Sequence, residues 1–196
     1  MVGVELSEER RRGIGVALNE ADWVGITVEP AGHRVTVAFD VLTSPAREAR
    51  TELVLDGVGR VAASLRHGRW DDPAAPVQPF GLGELPGVVR GFGGCPIYGW
   101  EFIDPPERDW LEWRDRLSLD VAFRPAPGRH VLELFQEGDT EPPRHLDLRV
   151  WFDALRVTRG GAELPVQEFI DGGRRWWNAL WAGDPRTGGT GIAPVR

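Results

Sequence analysis

Lysine is absent from this chain: all 23 cationic residues are arginine. Tyrosine and cysteine occur once each, at Tyr98 and Cys95, and asparagine only at Asn19 and Asn178. A single cysteine cannot close an internal disulfide, so a disulfide-held scaffold is excluded and a reducing compartment is expected. No apolar run approaches the roughly 18 residues of a membrane-crossing helix. The opening Met1-Val-Gly-Val-Glu-Leu-Ser-Glu-Glu-Arg has neither the basic start nor the apolar stretch of a secretion signal. A cytoplasmic, bacterial-type protein is therefore the expectation. Codons for Lys, Asn and Tyr are AT-rich and those for Arg, Gly, Ala and Pro are GC-rich, so base composition alone accounts for the skew. Neither the all-arginine cation set nor the nine tryptophans marks a function by itself.

What the sequence does contain is an ordinary globular balance, 41% hydrophobic and 27% charged over 196 residues. That length suits one domain, read as residues 1–183 with a flexible tail at 184–196. The formal net charge is −7. Nucleic-acid binding draws on phosphate neutralisation, and a net anion has the wrong sign for it.

Alternating apolar and polar residues dominate from about Ile14 to about Thr158. Ile14-Gly-Val-Ala-Leu and Trp23-Val-Gly-Ile-Thr-Val begin the pattern. Val35, Val37, Phe39 and Val41 continue it on one face, behind a turn at Pro30-Ala-Gly-His33. Thr51–Leu55 and Val58–Leu65 read as a hairpin about Asp56-Gly57. Leu117, Leu119, Val121 and Phe123 form a further apolar face, as do Leu132 with Leu134, and Leu146, Leu148, Val150 and Phe152. Short strands joined by turns predict a mainly β fold, an antiparallel sandwich or jelly-roll-like arrangement. Two segments break the pattern. Residues 69–100 are rich in Gly and Pro, with a short helix expected between Glu84 and Phe92, and such irregular segments often carry sites. Residues 165–182 read as an amphipathic C-terminal helix. Pro165 stands at its first position and Gly183 just past its end. Its apolar stripe is Val166, Phe169, Ile170, Gly173, Trp177, Leu180 and Trp181, with Trp176, Trp177 and Trp181 as anchors. Gly172 and Gly173 are expected to let the helix approach a sheet closely.

Several patterns invite a chemical reading. Gly57-Val-Gly59-Arg-Val-Ala62 has the spacing of a dinucleotide-binding turn. That turn needs a following helix, whereas Val61, Ala63 and Leu65 alternate as a strand does. Gly91-Phe-Gly-Gly-Cys95-Pro lacks the Lys-Ser/Thr of a phosphate loop. Cys95 becomes a nucleophile only with a histidine beside it, and free cysteine is more commonly a small buried hydrophobe. Glu137, His145 and Asp147 form a candidate metal set. His145 and Asp147 share a strand face, and a regular hairpin over 138–144 would set Glu137 opposite His145 and Glu133 opposite Arg149. The competing reading of that set is a solvated sheet face with cross-strand ion pairs. Trp100, Glu101, Trp110 and Trp113, with Cys95, are the candidate binding residues, against a reading in which the tryptophans cap the sandwich.

No catalytic constellation stands out, and no cofactor is expected. The functional expectation is a non-catalytic binding module for another macromolecule, either a protein or a second copy of the chain. An immunity-type inhibitor of a basic toxin is one concrete form, and neither nucleic acid nor membrane is expected as a partner. The alternative is a small-molecule or carbohydrate binder, or a hydrolase, with its site formed by residues 69–100 and nearby Trp, Glu and His side chains.

Overall fold

A computed structural model describes residues 6–42, 50–93, 99–103, 111, 113–138 and 141–188. Two five-stranded antiparallel sheets form the body of the fold. The first, sheet A, contains β1 (Asp22–Glu29), β2 (Arg34–Asp40), β3 (Arg50–Asp56), β9 (Ala154–Arg159) and β10 (Ala162–Leu164), in that spatial order. The second, sheet B, is ordered β5 (Gly99–Ile103), β7 (His130–Gly138), β8 (Arg144–Phe152), β4 (Arg60–His67) and β6 (Leu119–Ala122). Val35, Val37, Phe39, Leu53, Leu55 and Val157 of sheet A join Val61, Leu65, Leu132, Leu134, Leu146, Leu148, Val150 and Phe152 of sheet B in one buried cluster. The two inner faces therefore make a sandwich core, as the alternation predicts.

The β1–β2 turn forms where expected, as a 3-10 turn over Pro30–Gly32 closed by His33 in the left-handed region. The β3–β4 connection corrects the hairpin reading. The neighbours of β3 are β2 and β9, and those of β4 are β8 and β6, so Asp56–Gly59 carries the chain from one sheet to the other. Gly57 takes a φ of +67° at this corner, and a Cβ on Gly59 would lie 2.2 Å from the Pro127 carbonyl oxygen. The glycines serve a close crossing between layers. Strand β4 follows directly, so no helix N-terminus stands behind them to receive a pyrophosphate.

A second correction concerns Ile14–Leu18, which belongs to helix α1 (Glu8–Leu18) and not to a strand. Ser7 caps it by accepting from the Arg10 N–H, and Glu8 and Glu9 sit in the first turn, where carboxylates favour the helix dipole. A short helix α2 (Leu85–Arg90) forms inside the 69–100 segment and packs on β1 through its buried Leu85 and Val89. Helix α3 (Val166–Trp181) has Pro165 as its N-cap and Gly183 in the left-handed region beyond its end. Val166, Phe169, Ile170, Trp176 and Leu180 are its buried anchors. At about 1.5–3 kcal/mol for each large side chain buried, they outweigh the roughly 1 kcal/mol cost of each mid-helix glycine. Gly173 faces the first helix and not a sheet. A Cβ on Gly173 would lie 2.5 Å from Ala17 Cα, so the small residue admits α1. The contacts Gly13–Ile170 and Ala17–Gly173 advance together along both helices, so the two run side by side in one direction. Trp181, expected as an anchor, is 56% exposed. The chain beyond Gly183 continues as a 3-10 turn, Pro185–Thr187, with Thr187 buried; residues 189–196 lie outside the described residues.

Candidate functional site

Most of the candidate residues fall on the outer face of sheet B. Register places three polar rows there. Glu101, Glu133, Arg149, Ala62 and Asp120 form one, Gly99, Phe135, Asp147 and Ser64 the next, and Glu137, His145 and Arg66 the last. The Glu137–His145 and Glu133–Arg149 pairings are those the hairpin geometry predicts. The expectation of a solvated face is overturned. β8 is the central strand of its sheet, and His145, Asp147 and Arg149 are buried on its outer side, together with Ser64 and Arg66 of β4. Trp113 lies over the Arg149 guanidinium at 4.4 Å, and the Gly68 carbonyl, which can only accept, lies 3.2 Å from His145 Nδ1. At the far end of the face, Ala62, Val131 and Trp151 form a separate apolar cluster with Ile103 and Leu117. Leu117, read from sequence as a core residue, thus packs on the opposite side of the sheet from Leu119.

Burial sets the electrostatics of these rows. Arg66 donates to Asp147 Oδ2 at 3.3 Å, and Arg149 Nε donates to Glu133. Desolvation nevertheless pushes the Asp147 carboxyl up to about 6. The negative charge of Glu133 adds to this, while Arg66 and Arg149 pull the other way. His145 shifts down, first through burial and then through the Arg66 charge, with the Gly68 carbonyl opposing. Among the described residues, no group of three His, Cys, Asp or Glu side chains is placed to hold a metal ion. Within the proposed metal set, Asp147 is engaged by Arg66, His145 contacts Gly68 through Nδ1, and Glu137 is half-buried beside them. Glu101 is exposed opposite Glu133. Cys95 and Trp110 lie outside the described residues.

Trp100 stands apart from these rows. It shares the inner face with Phe102, and the two rings meet edge-on at 6.4 Å. It extends beneath α1, where a Cβ on Gly15 would come within 2.0 Å of Trp100 Cη2. With Trp177, Trp181, Val16, Gly15, Arg12 and Asn19 it lines an open, apolar groove of about 560 Å³ between the helices. The Trp177 indole N–H donates to the Val16 carbonyl at 3.0 Å, which fixes one wall. Trp181, at 56% exposure, and Val16, at 39%, leave the other wall open. Arg12 at the rim is paired with Glu8. The strand reading of Ile14–Leu18 hid this groove. The signal that would have revealed it is Ser7-Glu8-Glu9, a capping residue followed by acidic first-turn positions.

Comparison with protein-family models, with curated proteins and with solved structures finds no match to this chain.

Proposed function

We propose that the protein is a non-catalytic binding module that engages a protein partner through the α1–α3 tryptophan groove. The observation that carries this reading is Trp181, a large aromatic side chain left open to solvent beside Val16, over a concave wall of Trp100 and Trp177. Tryptophan and arginine dominate the energetics of protein interfaces, because they bury much area and combine it with a polar contact. A cavity of about 560 Å³ accommodates an aromatic or branched aliphatic side chain with its neighbours. The partner's contact segment is accordingly a peptide stretch presenting one large apolar residue, with a carbonyl or amide for Arg12 and Asn19 at the rim. Selection of random peptides on the immobilised protein tests this. Enriched peptides should carry such a residue, and Val16→Glu or Trp181→Ala should weaken them tenfold or more, since a hot-spot contact contributes about 2 kcal/mol or more. Trp181→Ala should leave stability within about 0.5 kcal/mol, as an exposed position does. No enrichment, or peptides indifferent to both substitutions, would end this reading.

A further inference from the structure

Strand β5 (Gly99–Ile103) borders sheet B. β7 pairs with it on one side, and among the described residues no strand pairs with it on the other. In an antiparallel pair every second residue turns its N–H and C=O away from the partner strand. Among the described residues, no backbone hydrogen bond to a turn, loop or helix takes up that outward row. A further extended chain matches such a row in the spacing of its donors and acceptors. The same strand carries Trp100 into the groove on the inner face and Glu101 to solvent on the outer face. Glu101 stands directly across from Glu133, and like charges in that relation repel. Arg149, the cation of that row, pairs with Glu133, so among the described residues the exposed Glu101 charge is left to be met from outside.

We infer that the protein partner docks by strand addition: an extended segment that alternates apolar and cationic residues runs along the free edge of β5. This rests on the groove reading above and specifies the groove's occupant. An added strand lies about 4.8 Å from β5, and its side chains alternate between the faces as those of β5 do. Side chains on the inner side lie beside Trp100 and reach the apolar groove it shares with Val16, Trp177 and Trp181. Those on the outer side lie beside Gly99 and Glu101, where an arginine or lysine supplies the missing counter-charge. Gly99 has no side chain to obstruct a long one. A helical segment would present its apolar residues at every third or fourth position and leave the edge groups of β5 unpaired. The formal net charge of −7 acts in the same sense, drawing a cationic segment to the surface.

The test is a chemical-shift titration of the full-length, nitrogen-15-labelled protein with capped seven-residue peptides that alternate leucine with arginine, glutamine or glutamate. The arginine peptide should move the β5 amides together with the Trp100, Trp177 and Trp181 indoles to a saturating endpoint, and the glutamate peptide should not. In an added strand the N–H groups of one residue set face β5 and those of the other face water. Methylating the leucine amides in one peptide and the arginine amides in another therefore separates its two edges. One modification should weaken binding about tenfold or more and the other by less than about threefold. Glu101→Gln is an exposed change that should fold normally. It should weaken the arginine peptide about twofold to fivefold and leave the glutamine peptide unchanged. Equal effects of the two methylations, or an arginine peptide indifferent to Glu101→Gln, would overturn strand addition; movement of Trp177 and Trp181 would then still uphold the groove. Trp177 and Trp181 signals unmoved by every peptide would overturn both.

Discussion

Asp147 is the residue whose chemistry the fold constrains most measurably. Its carboxyl sits near 6 in the folded protein, mainly because burial penalises the charge, against an ordinary value of about 3.9 in an unfolded chain. The folded state therefore holds the proton more tightly than the unfolded state does. Between roughly pH 4 and pH 6, raising the pH removes a proton that folding favours, so stability falls; above about pH 7 the effect is complete and flat. Two pH units of difference correspond to about 3 kcal/mol, most of it spread across that window. Asp147→Asn keeps an acceptor for Arg66 in the shape of the protonated acid and removes the titration. Urea unfolding followed by tryptophan fluorescence, at half-unit steps from pH 4 to pH 8, yields the stability of both proteins. The wild type minus variant difference should decline by about 2–3 kcal/mol as pH rises from 4 to 7, whatever its absolute offset. Subtraction cancels the carboxylates the two proteins share. A difference that stays constant across the range would refute the claim that this side of the sheet is desolvated.

Asp56 behaves in the opposite sense. Burial works against its charge, but hydrogen bonds from Arg156 and Arg34, each 2.8 Å, hold its carboxyl below the usual range. Its contribution is present above about pH 4 and lost as pH falls further. Asp56→Asn should cost about 1–3 kcal/mol at pH 7, and acid titration of unfolding free energies should show the two proteins converging below about pH 3. Gly173→Ala should destabilise by about 1–3 kcal/mol, because its methyl would meet the α1 backbone at Ala17 and the helices would have to part. Gly87→Ala in α2 meets no atom within 4 Å and should gain up to about 1 kcal/mol. Thermal and urea unfolding of the pair reads both signs together.

Much of the sandwich was legible because a half-buried strand writes its burial into every second residue. Leu146, Leu148, Val150 and Phe152 face the core as that rule requires. The β7–β8 register was legible too, since a hairpin counts outward from its turn. Sheet membership was not. Asp56-Gly57 carries a tight-turn signal that is local, whereas the choice between a hairpin and a crossing between layers depends on β9, which arrives about a hundred residues later to take the edge of β3. Helix α1 is not legible because its buried Ile14, Ala17 and Leu18 are interleaved with glycines that suit close helix packing and dilute the helical period. The chemistry of the outer face was half legible. The identities and pairings of Glu133, Glu137, His145 and Arg149 followed from spacing, but their burial depends on Trp113 and the Gly68 turn, which come from distant parts of the chain. The groove is not legible for the same reason: Trp100, Val16 and Trp181 meet only in three dimensions.

The recognition surface itself is tested most directly by the indole N–H resonances of the nitrogen-15-labelled protein as a selected peptide is added. If the groove is the docking surface, the signals of Trp100, Trp177 and Trp181 move together and saturate, while those of the buried Trp23 and Trp176 and of Trp113 and Trp151 on sheet B stay in place. Saturating movement of Trp113 or Trp151, with Trp177 and Trp181 unmoved, would contradict the account.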